Sequence, residues 1–401
     1  MTSPLPAWKK GSDPIFAGLV TSPLPAWLDV SPWLDLVRRA DRGMVGQAVA
    51  AANPGVREFA ILLSDAAAEE LETLAARAQD LTRRHFGRTI SLYAPLYLSN
   101  YCPAQCAYCG FASDRKIRRH KLTSAELAAE GAALKRLGLE EVLVLTGDRL
   151  ATAGYEFVRD GVESLASQFH SVSAEVFAMS ESEYAGLAGA GCTAVTLYQE
   201  TYDPTRYALL HTSGPKADYF GHLDAPARAL AGGMRSVGLG VLLGLSEPLE
   251  DVLRLFCHAA WLRRRFWSGG VAISFPRIRP QSGDYAADFP VSEGLLAQIV
   301  FAFRIAMPET PLVLSTRESP RFRDGMAGVG ISKMSVASRT TVGGYAEGAV
   351  SSSAQFEIED HRGVDEFCAM LRAKGLQPVF KNWDAVYRVG RASGLAAGAH
   401  G

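Results

Sequence analysis

The chain lacks most features that would place it outside the reducing interior of a cell. Six cysteines in 401 residues are too few for the disulfide framework of a small secreted domain. No uninterrupted apolar run reaches the length that a membrane-spanning helix needs. The N-terminus lacks the basic, apolar and small-residue order of a signal peptide. Formal net charge is only −1, so no excess of either sign points to nucleic acid or a charged lipid surface. These absences predict a soluble cytoplasmic protein with no nucleic-acid or membrane partner. Against them stands a hydrophobic content of 48%. That is enough for a large core, in two or three domains or in one α/β barrel with additions.

A second group of absences concerns the cysteines. Residues 100–112 read NYCPAQCAYCGFA, with Cys102, Cys106 and Cys109 spaced C-x3-C-x2-C. Haem attachment needs His after the last cysteine, and Gly110 stands there. A structural zinc site needs a second Cys or His knuckle, and only His120 lies near. Cys192, Cys257 and Cys368 are isolated and read as small buried hydrophobes. An iron–sulfur cluster suits the triplet better, since thiolates are its usual ligands. Three ligands on a cubane leave one iron open to a small molecule, whereas a plain electron carrier would want every iron ligated.

Periodicity supplies the scaffold. Residues 29–84 read as helices, and the last, ending EELETLAARAQDLTRRHFG, stops at Gly87. Eight apolar strands then alternate with helices: 90–99, 141–147, 173–179, 193–200, 238–245, 270–275, 311–316 and 330–335. Thr123 with Glu126, and Ser180 with Glu183, have capping-box spacing. Eight βα units over about 250 residues predict a TIM barrel; an open doubly wound sheet is the alternative. The expected organisation is an N-terminal arm and helical extension (1–86), the barrel (87–336), a Gly- and Ser-rich segment over its mouth (337–385) and a tail (386–401). TSPLPAW, present at 2–8 and again at 21–27, is given no chemical role. NYC, TGD, YQE, SFPR and STRE all follow predicted strands. In a barrel those ends converge on the mouth that carries the chemistry.

With an aromatic residue, Tyr108, before its last cysteine, the triplet resembles the fingerprint of the radical S-adenosylmethionine (SAM) enzymes. The likeness runs over about residues 70–385, through VLTGD, YQETYD, HTSGPKADY, SFPRIRP, LSTRESPRFRD, KMSVASRTTVGGY and SAQFEIED. There the chain is similar to the radical SAM tyrosine lyases of thiamine biosynthesis. The resemblance implies a (β/α)8 barrel, a 4Fe-4S cluster on Cys102, Cys106 and Cys109, and SAM on the open iron. It implies cleavage of the Cα–Cβ bond of L-tyrosine to p-cresol and 2-iminoacetate (dehydroglycine), which feeds thiazole formation. Its partners would be a flavodoxin- or ferredoxin-type reductant and thiazole synthase.

Residue by residue, Tyr108, Gly147, Asp148, Glu200 and Arg228 are the expected cofactor-binding set. Gly147 would let the backbone approach a ligand. Asp148 would hold the SAM ammonium, where the resembled family usually has Glu. Glu200 would meet the SAM ribose or the substrate amine, and Arg228 the SAM carboxylate or merely solvent. Tyr97, Arg317 and Ser338 are the expected catalytic set. Arg317 would fork onto the tyrosine carboxylate from the side of the barrel opposite the cluster loop, with Arg277 and Arg279 shaping the rim. The basic run DRKIRRHK (114–121) reads as solvated, with docking of an acidic reductant as the minority reading. Two relatives are the alternatives. One is the tyrosine lyase of hydrogenase maturation, disfavoured because no cysteine follows Cys368. The other is a tryptophan lyase.

Overall fold

The computed structural model describes residues 24–349 and 352–381. The first TSPLPAW copy and the expected tail lie outside them. Helices come first: α1 (Ser31–Arg39), α2 (Arg42–Ala50), α3 (Val56–Ile61), α4 (Asp65–Ala68) and α5 (Leu71–Phe86). α5 stops at Gly87, whose φ is 63°. Then follow β1 (Thr89–Tyr97), α6 (Ser124–Arg136), β2 (Glu141–Leu145), α7 (Tyr155–Ala166), β3 (Ser171–Glu175), α8 (Glu181–Gly189) and β4 (Cys192–Thr196). The second half runs α9 (Pro204–Leu210), α10 (Tyr219–Ala231), β5 (Ser236–Gly240), α11 (Pro248–Arg265), β6 (Gly270–Ser274) and α12 (Glu293–Ala306). It ends with β7 (Leu312–Leu314), α13 (Pro320–Met326), β8 (Lys333–Ser335), α14 (Val364–Ala373) and β9 (Gln377–Val379).

Strands β1 to β8 pair in parallel, and β1 also pairs with β2. That last pairing closes the sheet, so the fold is a barrel and not an open doubly wound sheet. Both expected capping boxes form, at Thr123–Glu126 and at Ser180–Glu183. β9 was not legible in the sequence. Its three residues QPV are too short to show alternation. It pairs with β1 at Thr89–Ser91, below the point where β2 joins β1 at Ala94.

Several strands end earlier than their apolar runs suggest. The run expected at 173–179 is paired only over Ser171–Glu175, and that at 193–200 only over Cys192–Thr196. Val176 and Phe177 continue the apolar pattern in a buried mouth loop, while Leu197 and Gln199 still donate to Gly238 and Gly240 beyond the end of β4, so burial and stray pairing past the strand ends produced the longer signal. The N-terminal helices cover one flank of the barrel. There Phe59 stacks on Phe256 and meets Phe303 edge-on. Trp27, which closes the second TSPLPAW copy, stacks on Trp261 of α11. No helix among the described residues is long and apolar enough to cross a membrane.

After β8 the chain forms a strap across the mouth. Glu130 of α6 is buried and accepts from the backbone N–H groups of Gly344, Tyr345 and Ala346. The Tyr345 hydroxyl donates to the Pro95 carbonyl at 2.7 Å. Farther on, Asp360 is fully buried and paired with Arg323 and Arg362. These anchors fix both ends of the strap over the ends of the strands.

Candidate active site

β1 delivers the chain into the cysteine loop. Asn100 ties the two ends of this loop together: its amide donates to the Arg118 carbonyl at 2.9 Å and accepts from the His120 N–H at 2.7 Å. The basic run expected to be solvated is largely built into the loop. Arg119 donates to the carbonyls of Asn100, Phe111 and Ala112, and Arg115 to that of Ala107 at 2.7 Å. A loop that presents cysteines must leave carbonyls unpaired in secondary structure, and these guanidinium groups satisfy them.

Cys102, Cys106 and Cys109 are free thiols that act on one another electrostatically. Burial and then the neighbouring Cys109 push Cys102 up to about 11. Burial also holds Cys106 well above the usual thiol range. Three thiolates gathered here therefore need a cationic group to hold them ionised. Among the described residues no three His, Cys, Asp or Glu side chains converge on a single ion. By its chemistry, a set of three neighbouring thiols fits an iron–sulfur cluster, whose usual protein ligands are thiolates. Cys192 and Cys368 are buried in β4 and α14, and Cys257 is half-buried in α11, as isolated packing residues. The Tyr108 hydroxyl donates to His211 Nε2 at 2.7 Å. His211 is fixed in that tautomer because its Nδ1 lies 2.8 Å from the Tyr207 carbonyl.

A cavity of about 300 Å³ opens beside the loop, lined by Gly147, Asp148, Glu175, Glu200 and Arg228, with Phe177 and Leu197 as apolar wall. Carboxylates, a guanidinium and an apolar wall are what the ammonium, hydroxyl, carboxylate and adenine parts of SAM need, so the cavity fits that group. Gly147 lines this cavity, and within the chain a Cβ there would lie 2.3 Å from the Tyr101 carbonyl oxygen and 2.7 Å from Cys102 Cβ. It therefore also permits the close approach of the cysteine loop. Asp148 accepts from the Lys216 backbone N–H at 2.7 Å, and its own N–H donates to Cys102 Sγ at 3.3 Å. Lys216 Nζ lies 2.6 Å from Glu200. Burial opposes the charge on Lys216, but Glu200 and Cys106 more than offset it and its pKa is raised. Glu200 is held at φ 66°, a strained backbone of the kind that clusters at functional sites. Arg228 is not a solvated residue: it donates to the Met179 and Gly221 carbonyls at 2.9 and 2.8 Å.

A second, smaller cavity of about 60 Å³ is lined by Cys109, Arg317, Phe356 and Arg279, and shares Glu175, Tyr198, Glu200 and Gln355 with the first. Arg317 is therefore not opposite the cluster loop. Barrel closure leaves only β8 between β7 and β1, and Arg317 borders the same cavity as Cys109. Its guanidinium lies 3.4 Å from the Phe356 ring centroid. No carboxylate among the described residues forms a salt bridge with it. Burial lowers its pKa, against the support of Tyr97 and Glu175. Arg277 and Arg279, by contrast, are already paired, with Glu318 and Glu359.

Tyr97 is buried, lines the larger cavity and donates to Gln355 at 2.6 Å. Ser338 is buried beside Ala337, whose φ is 50°. Its Oγ has no hydrogen-bond partner among the described residues, although it lines neither cavity. Sequence reasoning missed Glu175 and Gln355. Glu175 ends β3, lines both cavities and is pushed up to about 7 by burial and then by Glu200. A strand drawn to 179 hides it in mid-strand. Gln355 lies in a strap with no periodicity to mark it.

Comparison with known proteins adds sequence and fold evidence. Residues 96–256 match the radical SAM superfamily, and residues 274–377 the biotin and thiamin synthesis associated domain. The chain is 43% identical to the 2-iminoacetate synthase of Escherichia coli (strain K12), over 83% of this chain and 88% of the relative. It is 40% identical to the 2-iminoacetate synthase of Salmonella typhimurium, over 87% and 92%. The crystal structure of HydG, a maturase of the FeFe-hydrogenase, superposes with a TM-score of 0.85 at 31% identity, covering 92% of this chain and 83% of that one.

Proposed function

Because this chain belongs to the 2-iminoacetate synthase family, we propose that its barrel mouth cleaves the Cα–Cβ bond of L-tyrosine to p-cresol and 2-iminoacetate. The observation that carries this reading is Arg317, a half-buried guanidinium with no carboxylate partner among the described residues, which borders a cavity shared with Cys109. A charge in such a place is costly unless something pairs with it, and the α-carboxylate of an amino acid is the fitting partner.

Cys102, Cys106 and Cys109 would hold the 4Fe-4S cluster, and Asp148, Glu200 and Arg228 would hold SAM. When bound, the cluster and SAM supply the electron and the hydrogen-abstracting radical. The protein's own task is placement and exclusion of water. Arg317 fixes the carboxylate, and Phe356 under its guanidinium limits its swing. Glu175, on the wall common to both cavities, receives the substrate ammonium. Tyr97 adds its hydroxyl to the polar wall of the larger cavity. The strap keeps water from the mouth, which suits radical chemistry. A flavodoxin- or ferredoxin-type protein delivers the electron, and 2-iminoacetate passes to thiazole synthase.

The test is an anaerobic turnover of reconstituted chain with tyrosine, SAM and reductant, assayed for p-cresol and 5′-deoxyadenosine together. Both should form, and SAM cleavage should rise with tyrosine. SAM cleavage without p-cresol from tyrosine refutes the substrate. Absence of both from cluster-loaded protein refutes the reaction class.

A further inference from the structure

Gln355 stands between the cysteine loop and the substrate side of the mouth, and borders both cavities. Its Oε1 lies 2.6 Å from the Tyr97 hydroxyl. Its Nε2 lies 3.6 Å from Cys109 Sγ, within reach of a hydrogen bond to sulfur. The strap seats it closely: its N–H donates to the Thr340 carbonyl at 2.9 Å. Gly110 makes room for it, since a Cβ there would fall 2.2 Å from the Gln355 carbonyl oxygen. A metal-bound thiolate can only accept, so the amide nitrogen must face Cys109 and the amide oxygen Tyr97. The Tyr97 hydroxyl then donates to Gln355 and holds that orientation.

We propose that Gln355 is a positioning residue whose amide, held by Tyr97, donates to Cys109 and sets the reduction potential of the cluster from the substrate side of the mouth. The inference rests on the proposed function, because it requires a cluster on the three cysteines. A donor to a ligand sulfur stabilises the reduced, more negative cluster over the oxidised one, and so raises its potential. The phenol that orients the donor lies in the wall of the cavity that takes the small molecules. Closure of the strap and readiness of the cluster to accept an electron are thereby linked through one side chain.

The experiment is a potentiometric titration of the reconstituted full chain, followed by electron paramagnetic resonance, without SAM or tyrosine. Gln355→Leu should shift the potential to more negative values. Gln355→Glu should shift it further, because a carboxylate cannot donate and repels the reduced cluster. Tyr97→Phe should shift it in the same direction by less. In wild-type chain carrying side-chain-15N glutamine, pulsed measurements on the reduced cluster should show a coupling to that nitrogen, a readout that needs no variant. Wild-type potentials in both Gln355 variants, or no nitrogen coupling, overturn the inference while leaving the lyase reading intact. Wild-type chain that binds no cluster overturns the cysteine assignment and this inference with it.

Discussion

Arg317→Lys keeps the positive charge and removes the fork, so it separates carboxylate recognition from general electrostatics. In the structure the Arg317 guanidinium rests 3.4 Å from the Phe356 ring centroid. Its contact with protein oxygen is long, 3.4 Å from Nη1 to the Arg277 carbonyl. Among the described residues its other N–H groups have no hydrogen-bond partner, so they can meet a ligand. A carboxylate bound there gains two parallel, charge-assisted bonds in a dry site. Lysine offers a point charge on a flexible stem, with neither fork nor flat face for Phe356. Disrupting a buried charged pair costs about 2–5 kcal/mol, which is about 30-fold to several-thousand-fold in kcat/KM for p-cresol formation. Cluster content and SAM affinity should stay near wild type, while tyrosine should no longer stimulate SAM cleavage. The assay measures 5′-deoxyadenosine and p-cresol with and without tyrosine. Near-normal p-cresol from the Lys variant would remove Arg317 from the substrate site.

Cys102→Ala, Cys106→Ala and Cys109→Ala should each abolish cluster assembly, read as iron and sulfide content; Cys192→Ala, Cys257→Ala and Cys368→Ala should retain it. Asp148→Asn should weaken SAM binding in equilibrium titration by about 1.5–3 kcal/mol, the worth of a charged hydrogen bond, with little change in tyrosine affinity. Arg119→Met should leave three carbonyls of the cysteine loop unsatisfied and speed cluster loss on exposure to a chelator; an unchanged rate would make Arg119 a bystander. Glu175 has its pKa raised from 4.5 to about 7, so the folded state holds that proton more tightly than the unfolded one. The stability it contributes is present below pH 4.5 and lost as pH rises through about 7. Glu175→Gln should therefore raise Tm at pH 8 and leave it unchanged near pH 4, while raising the KM for tyrosine at pH 8.

The barrel was legible because eight apolar segments alternate with helices whose caps stand at fixed offsets. Thr123 with Glu126 and Ser180 with Glu183 form as read. The cysteine loop was legible because its spacing is local. What the sequence hid depends on contacts between distant segments. DRKIRRHK looks like a solvated run, yet Arg119 and Arg115 turn inward to carbonyls of the loop just before them. Gly147 read as room for a ligand, and its close fit to the Tyr101 carbonyl oxygen could not be read from the sequence. Glu175 was hidden by an apolar run that continues past the last paired residue of β3, because mouth loops are buried as strands are.

The same reasoning explains why the strap carries more of the site than its composition suggests. A TIM barrel fixes only the residues at and just beyond its strand ends, and here these supply Tyr97, Glu175 and, a few residues on, Glu200 and Arg317. None of them closes the mouth. Closure needs a segment whose backbone polar groups are satisfied away from secondary structure: Glu130 accepts from strap N–H groups, the Tyr345 hydroxyl accepts from the Arg339 N–H, and the Thr340 hydroxyl donates to the Phe356 carbonyl. Phe356 and Gln355 then arrive as neighbours, one beneath the Arg317 guanidinium and the other between Tyr97 and Cys109. Two adjacent strap residues thus touch the group expected to bind the substrate carboxylate and a ligand of the cluster. A displaced strap would free Arg317 and withdraw the donor from Cys109 together. On the proposed roles of Arg317 and Gln355, substrate recognition and the electronic state of the cluster would therefore change together.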